Sequence, residues 1–307
     1  FTFEGKVMTR YLEFVDRFKD EIPILIDGAT GTEAERRGVP QLANAWNGGG
    51  ALSHPEIIKK IHLDYIRHGA EIVISNSFAT SKQALNDAGL EHLFEEYNRR
   101  SVELAIEARS ISKKTNILVA GSICYKRFPT GEPNKNTLFE DIFEQAVILR
   151  DAGADLLILE MMLDIDLTLI TLDAALKTGL PVWVGLSCEK NSDGNICLLG
   201  GDLLTDCLKE LKKKSVPLVN IMHTEVDLIS ECLDVLDANW DGFVGVYAHT
   251  GLYKNPEWIF DDIISPEDYA EASKAWIERK INIIGGCCGI RSEHIKCLNT
   301  LISQKNV

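Results

Sequence analysis

Ala152-Gly153-Ala154-Asp155-Leu156-Leu157-Ile158-Leu159-Glu160-Met161-Met162 reads as the end of a helix, a glycine that lets the chain leave it, and a strand. The strand is near-continuously apolar rather than alternating, the pattern of a parallel strand buried on both faces. The same joint recurs at His68-Gly69-Ala70-Glu71, ahead of Ile72–Phe78. Six more β-branched runs bounded by glycine or turns are Ile24–Ala29, Ile117–Ile123, Val182–Ser187, Leu218–His223, Phe243–Ala248 and Asn282–Cys287. Helical spacing fills the gaps. Pro55–Tyr65 carries Ile57, Ile58, Ile61 and Tyr65 on one stripe, and Leu138–Leu149 carries Phe139, Ile142, Phe143, Ala146 and Leu149. Eight strand–helix units in a chain of 307 residues predict an α/β fold, a (β/α)8 TIM barrel, in one domain over 1–307. An open doubly wound sheet is the competitor, but no Gly-x-Gly-x-x-Gly turn follows the first strand.

Composition narrows the function. The formal charge is −14, from 32 Lys plus Arg against 46 Asp plus Glu, with no basic stripe, which argues against nucleic acid. Leu156–Leu163, the most apolar stretch, is far short of the ~20 residues that span a bilayer. Phe1–Arg10 has no signal-peptide core, and the missing initiator Met suggests a residue or more upstream. Eight cysteines are too sparse for a disulfide scaffold, so a reducing, cytoplasmic setting is expected.

In a barrel of this kind chemistry sits at the C-terminal strand ends. Those ends carry Asp27-Gly28-Ala29-Thr30-Gly31-Thr32, Asn76-Ser77-Phe78, Ser122 with Cys124, Glu160, Ser187-Cys188-Glu189, Met222-His223-Thr224, Tyr247-Ala248-His249 and Gly285-Gly286-Cys287-Cys288-Gly289. The vicinal pair Cys287-Cys288 is the sharpest feature. Neighbours on a strand face opposite ways, so two can share one metal only where the strand ends, and Gly285, Gly286 and Gly289 are expected to supply the backbone angles of that bend. Two buried, packed cysteines are the plainer reading. Two thiolates need a third protein ligand to make an open zinc site, and His223 and His249 end the two preceding strands. If both bound, the site would be closed. Asp27 and Glu160 are inward carboxylates suited to an ammonium group, or else to a buried ion pair. Backbone N–H groups after Asp27 suit a carboxylate; together these describe an amino acid. Cys124 and Cys188 are expected mainly in the core, and Cys197, Cys207, Cys232 and Cys297 on loops or helices.

These residues resemble the homocysteine S-methyltransferases, zinc-dependent barrels that make methionine from homocysteine and a methyl donor. The likeness runs from Asp27-Gly-Ala-Thr-Gly-Thr-Glu33, Arg36-Arg37-Gly38, Trp46, Pro55 and His62 through Gly69-Ala70, Asn76-Ser77-Phe78, Glu160 and Gly200. It ends with Trp258, Ser265-Pro266-Glu267-Asp268 and Gly285-Gly286-Cys287-Cys288-Gly289-Ile290. The resemblance implies a Zn²⁺ ion held by three cysteines, but here His223 replaces the one ending the sixth strand and Met222 its neighbouring asparagine. His249 likewise replaces an asparagine in Tyr247-Ala248-His249-Thr250-Gly251. The implied ligands are thus His223, Cys287 and Cys288, with one thiolate fewer and a more Lewis-acidic metal.

Asp27, Gly28, Glu160, Asn76, Tyr247 and His249 are candidate substrate contacts, and Trp46, Phe78 and Tyr247 can face a cationic methyl donor or simply pack. With a single barrel, the donor expected is a small onium compound such as S-methylmethionine or a betaine. The partners expected are these small molecules, with a homo-oligomer compatible with the family. Three rivals stand: the same chemistry on another acceptor or donor, a non-catalytic barrel with a closed Cys₂His₂ zinc, and a metal-free redox dithiol.

Overall fold

The computed structural model describes residues 3–125, 131–254, 257–260 and 263–304; Phe1 and Thr2 of the chain's start lie outside them. Eight parallel strands alternate with helices: β1 Ile24–Leu25, β2 Ile72–Ile74, β3 Leu118–Ile123, β4 Leu156–Met162, β5 Val182–Leu186, β6 Leu218–Glu225, β7 Phe243–His249 and β8 Ile283–Ile284. They pair in chain order from β2 to β8, and β8 returns to β1. The ring closes between β1 and β2, where Ile26 bridges Ile72 and the Asp27 N–H donates to the Ile72 carbonyl at 3.0 Å. The architecture is the (β/α)8 barrel that the repeated joints predict.

Alternation explains the apolar runs. Ile72, Leu118, Ala120, Leu156, Ile158 and Leu218 point into the barrel, while Val73, Val119, Leu157, Leu159, Val219 and Ile221 pack outward against the helices. Both faces are out of water, so apolar side chains fill both kinds of position along most of each strand. The strands are shorter than the sequence suggests at β1, β2 and β8, because the chain leaves the ladder as soon as it reaches the mouth; β6 and β7 run longer. The helices also outrun their stripes, at Pro55–Arg67 and Lys135–Ala152.

Two features were not read from the sequence. The helix Phe3–Asp16, followed by the 3₁₀ turn Arg17–Asp20, closes the bottom: Tyr11, Phe14 and Phe18 join the inner core, and the Trp183 Nε1–H donates to the Tyr11 hydroxyl at 3.0 Å. Asp155, fully buried, receives Arg109 at 2.8 Å, Arg10 and the Val119 N–H. At the other end, Cys188–Lys190 and Ile196–Leu198 form an antiparallel hairpin beside β5, so Cys197 lies on a strand, not a loop or helix. Among the described residues no helix is long and apolar enough to cross a membrane.

Candidate active site

At the C-terminal mouth the strand ends surround a cavity of about 1280 Å³. That exceeds the roughly 300–1,000 Å³ usual for one small ligand, so two small substrates fit. Gly28, Trp46, Asn76, Phe78, Glu160, Tyr247 and His249 line it together with His223, Cys287 and Cys288. Asp27 alone of the predicted residues stands behind this wall, 1% exposed. Its Oδ2 accepts the Ile74 N–H at 2.8 Å, and its Oδ1 has no hydrogen-bond partner. Burial raises its carboxyl well above the usual range, and the charge of Glu160 adds to the effect.

The glycine loop is tight for a stated reason: a Cβ on Gly28 would sit 2.5 Å from the Ile290 carbonyl and 2.7 Å from the Tyr65 ring. Of the backbone donors expected after Asp27, Ala29 is already used by the Ile290 carbonyl at 3.0 Å, while Gly28, Thr30 and Gly31 line the cavity.

Glu160, two residues before the end of β4, accepts a hydrogen bond from the Ser122 hydroxyl. Burial pushes its carboxyl up to about 7 against the pull of Ser122 and Tyr247. The next residue, Met161, has φ +54°, and the β4–β5 register slips between Leu159 and Met162. Left-handed backbone here breaks the alternation, so that Glu160 and Met161 both reach the cavity. The device is repeated on β6. His223 has φ +44°, the β6–β7 register slips between Met222 and Glu225, and Met222 and His223 both line the wall. Met222 is anchored through its sulfur, which accepts from the Met161 N–H at 3.3 Å and the Ser187 hydroxyl at 3.2 Å.

The ligand atoms of His223, Cys287 and Cys288 lie within 4.8 Å of one another, as no other His, Cys, Asp or Glu group does among the described residues. The His223 Nδ1 is 3.5 Å from the Cys287 sulfur, and the two sulfurs are 4.0 Å apart. Tetrahedral zinc with ordinary bond lengths would space two sulfurs ~3.8 Å apart and a sulfur and nitrogen ~3.6 Å apart. The donor set fits such an ion with one position open. The Cys287 thiol donates to Cys288, and with His223 beside it the Cys288 sulfur is drawn well below the ordinary thiol range. His249 stays out of this group. Its ring packs against that of His223, centroids 4.5 Å apart and planes tilted by 32°, and its Nε2–H donates to Glu225 at 3.2 Å.

The glycines before the cysteines act differently from expectation. Gly289 does adopt a left-handed φ of +78°, but Gly285 and Gly286 are needed for space: a Cβ on Gly285 would meet the Ile26 side chain at 2.3 Å and the Asp27 carbonyl at 2.6 Å, and one on Gly286 would meet Ile290 at 2.0 Å. Trp46 and Phe78 meet edge to face at 6.1 Å. Cys124 is core, as expected, whereas Cys188 packs in the core and also lines the cavity.

Several wall residues were not singled out in sequence, Glu189 being named only at the end of its strand. Asn47 follows Trp46 and accepts through its carbonyl from the Asn76 side chain at 3.2 Å. Glu189, Glu225, Asp227 and Glu231 give the outer wall an acidic face, with Lys190 the one Lys or Arg on the lining among the described residues and paired to Glu231. A charge on a loop after a strand is ordinary surface until the fold turns it toward a cavity.

Fold and site together are those of a barrel enzyme with a thiol-and-imidazole cluster at its mouth. The chain belongs to the homocysteine S-methyltransferase family, whose model matches residues 24–302, and it is a methyltransferase. It is 25% identical to a selenocysteine Se-methyltransferase of Brassica oleracea var. italica, over 92% of this chain and 90% of that one. It is 26% identical to the homocysteine S-methyltransferase YbgG of Bacillus subtilis (strain 168), over 92% and 95%. The metallated form of the homocysteine methyltransferase MmuM from Escherichia coli has the same fold, with a TM-score of 0.73 at 23% identity over 91% of this chain and 96% of that one.

Proposed function

We propose that this protein transfers a methyl group from a small onium donor to the thiol of homocysteine, giving methionine, with Zn²⁺ at His223, Cys287 and Cys288 in a reducing, cytoplasmic setting. The convergence of those three donor atoms on the end of a cavity that also holds Glu160 carries the reading. Zinc bound there would keep a substrate thiol ionised near neutral pH. Glu160 would take the substrate ammonium group, while the N–H groups around Gly28 and Gly31, which line the cavity, suit its carboxylate. The sulfur–carbon bond forms as the donor's onium–carbon bond breaks, whose electron pair leaves with the now uncharged donor atom; the thiol proton has already gone to solvent. Trp46, Phe78 and Tyr247 offer ring faces to the cationic methyl groups, and the acidic outer wall attracts a positive donor. Holding both reactants in one cavity supplies much of the acceleration.

The test is zinc stoichiometry in reduced wild type, His223→Ala, Cys287→Ala and His249→Ala, followed by methionine formation with S-methylmethionine and glycine betaine. One zinc per chain, lost at saturation with His223 or Cys287 but not with His249, together with turnover supports the reading. Wild type that takes up no zinc under reducing conditions overturns it. Methyl transfer only to a selenol acceptor would keep the chemistry and change the substrate.

A further inference from the structure

The two histidines of the site touch each other, and the contact has a consequence for the metal. His223 and His249 sit on adjacent strands, where the shifted register puts Glu225 opposite His249. The rings lie 4.5 Å apart at 32°. His249 is 8% exposed and tied at its far nitrogen to Glu225, 3.2 Å away. His223 stands where the strand ladder has slipped, its backbone left-handed at φ +44°. The terminal torsion of an imidazole is broad and roughly two-fold, so a ring packed against it helps to decide whether Nδ1 stays 3.5 Å from the Cys287 sulfur. Metal-binding histidines are usually oriented by such outer partners.

We propose that His249, anchored by Glu225, is a positioning residue for His223: it packs against the imidazole and keeps Nδ1 turned toward Cys287 and Cys288, presenting a preformed three-donor set to a divalent metal ion. The proposal rests on the metal reading above, but only on its ligands and not on the methyl donor or acceptor. It assigns His249 neither a bond to the metal nor a proton to carry. A flat ring should therefore serve at position 249 even without a nitrogen.

The experiment is zinc competition against a chromophoric chelator, using reduced, metal-free full-length protein, with circular dichroism as a check on folding. His249→Ala should weaken zinc by about tenfold to a hundredfold, the usual size for losing an outer partner, while His249→Phe, which keeps a ring against His223, should recover most of the loss. In a His223→Cys background, where there is no ring to orient, His249→Ala should leave affinity unchanged. Cobalt(II) spectra should show the same ligand count in wild type and His249→Phe. Equal zinc affinity in wild type and His249→Ala overturns the positioning role while leaving the metal reading intact. So does a His249→Phe protein that binds as weakly as His249→Ala and loses a nitrogen ligand in its cobalt spectrum. Wild type that binds no zinc overturns both.

Discussion

Replacing Glu160 with glutamine should stabilise the metal-free protein, and by an amount that grows with pH. The carboxyl is raised from the ordinary 4.5 to about 7 by burial, so the folded chain holds a proton that the unfolded chain releases much earlier. Below the unfolded value both states are protonated and the site costs nothing. As pH climbs from 4.5 toward 7, only the unfolded state gains by ionising, and stability falls. Above the folded value both states are ionised and the loss is complete. At 1.36 kcal/mol per pH unit, the gap amounts to about 3 kcal/mol. Glutamine can still accept from Ser122 and carries no charge to desolvate. Asp27 is present in both proteins and largely cancels, and its repulsion with Glu160 acts in the same direction.

The assay is urea unfolding of wild type and Glu160→Gln in chelator and reductant across this pH range, comparing midpoints. The reasoning predicts near-equal stability at the acidic end and a gap of about 3 kcal/mol in favour of the variant at the alkaline end. A gap that stays flat with pH, or one that favours wild type, would refute it. The same variant should bind the substrate's ammonium group poorly, so stability gained there is function lost.

Gly285→Ala would force a Cβ to within 2.6 Å of the Asp27 carbonyl; moving β8 off β1 should destabilise the fold by about 1–3 kcal/mol and lower zinc retention together, read by melting and metal analysis. Met222→Leu keeps the volume but removes the sulfur that accepts from Met161 and Ser187; leaving a buried backbone N–H unpaired should cost about 1–3 kcal/mol in urea unfolding. Asp155→Ala strands Arg109, 14% exposed, and should cost about 3–5 kcal/mol, with the cavity unchanged in its zinc affinity if the barrel bottom serves only stability.

Much of this molecule is legible in one dimension. The barrel follows from eight apolar runs and their helix-ending glycines, because burial on two faces leaves an unbroken apolar record along a strand. Most of the candidate site follows as well, because in this fold a polar residue at a strand's end is already addressed to the mouth; Glu160 stands out for being a carboxylate in an apolar run. Cys287-Cys288 could be linked to His223 because the strands were counted, not because their residues are near in the chain.

The rest was decided in three dimensions. Alternation would send Met161 and His223 away from the cavity; their left-handed backbones, at φ +54° and +44°, turn them in, and no residue type announced that. Gly285 and Gly286 look like residues chosen for unusual angles but serve close packing against β1 and Ile290, which only the assembled barrel reveals. Asp27 reads as a cavity carboxylate and lies behind the wall. The acidic face of Glu189, Glu225, Asp227 and Glu231, the sulfur anchor of Met222 and the ring contact of His249 with His223 all join residues from different loops and strands. The sequence records which residues leave water, since burial acts on each residue singly. Which of them meet is settled by the register and bulges of the closed sheet, where a slip of one residue re-aims a side chain.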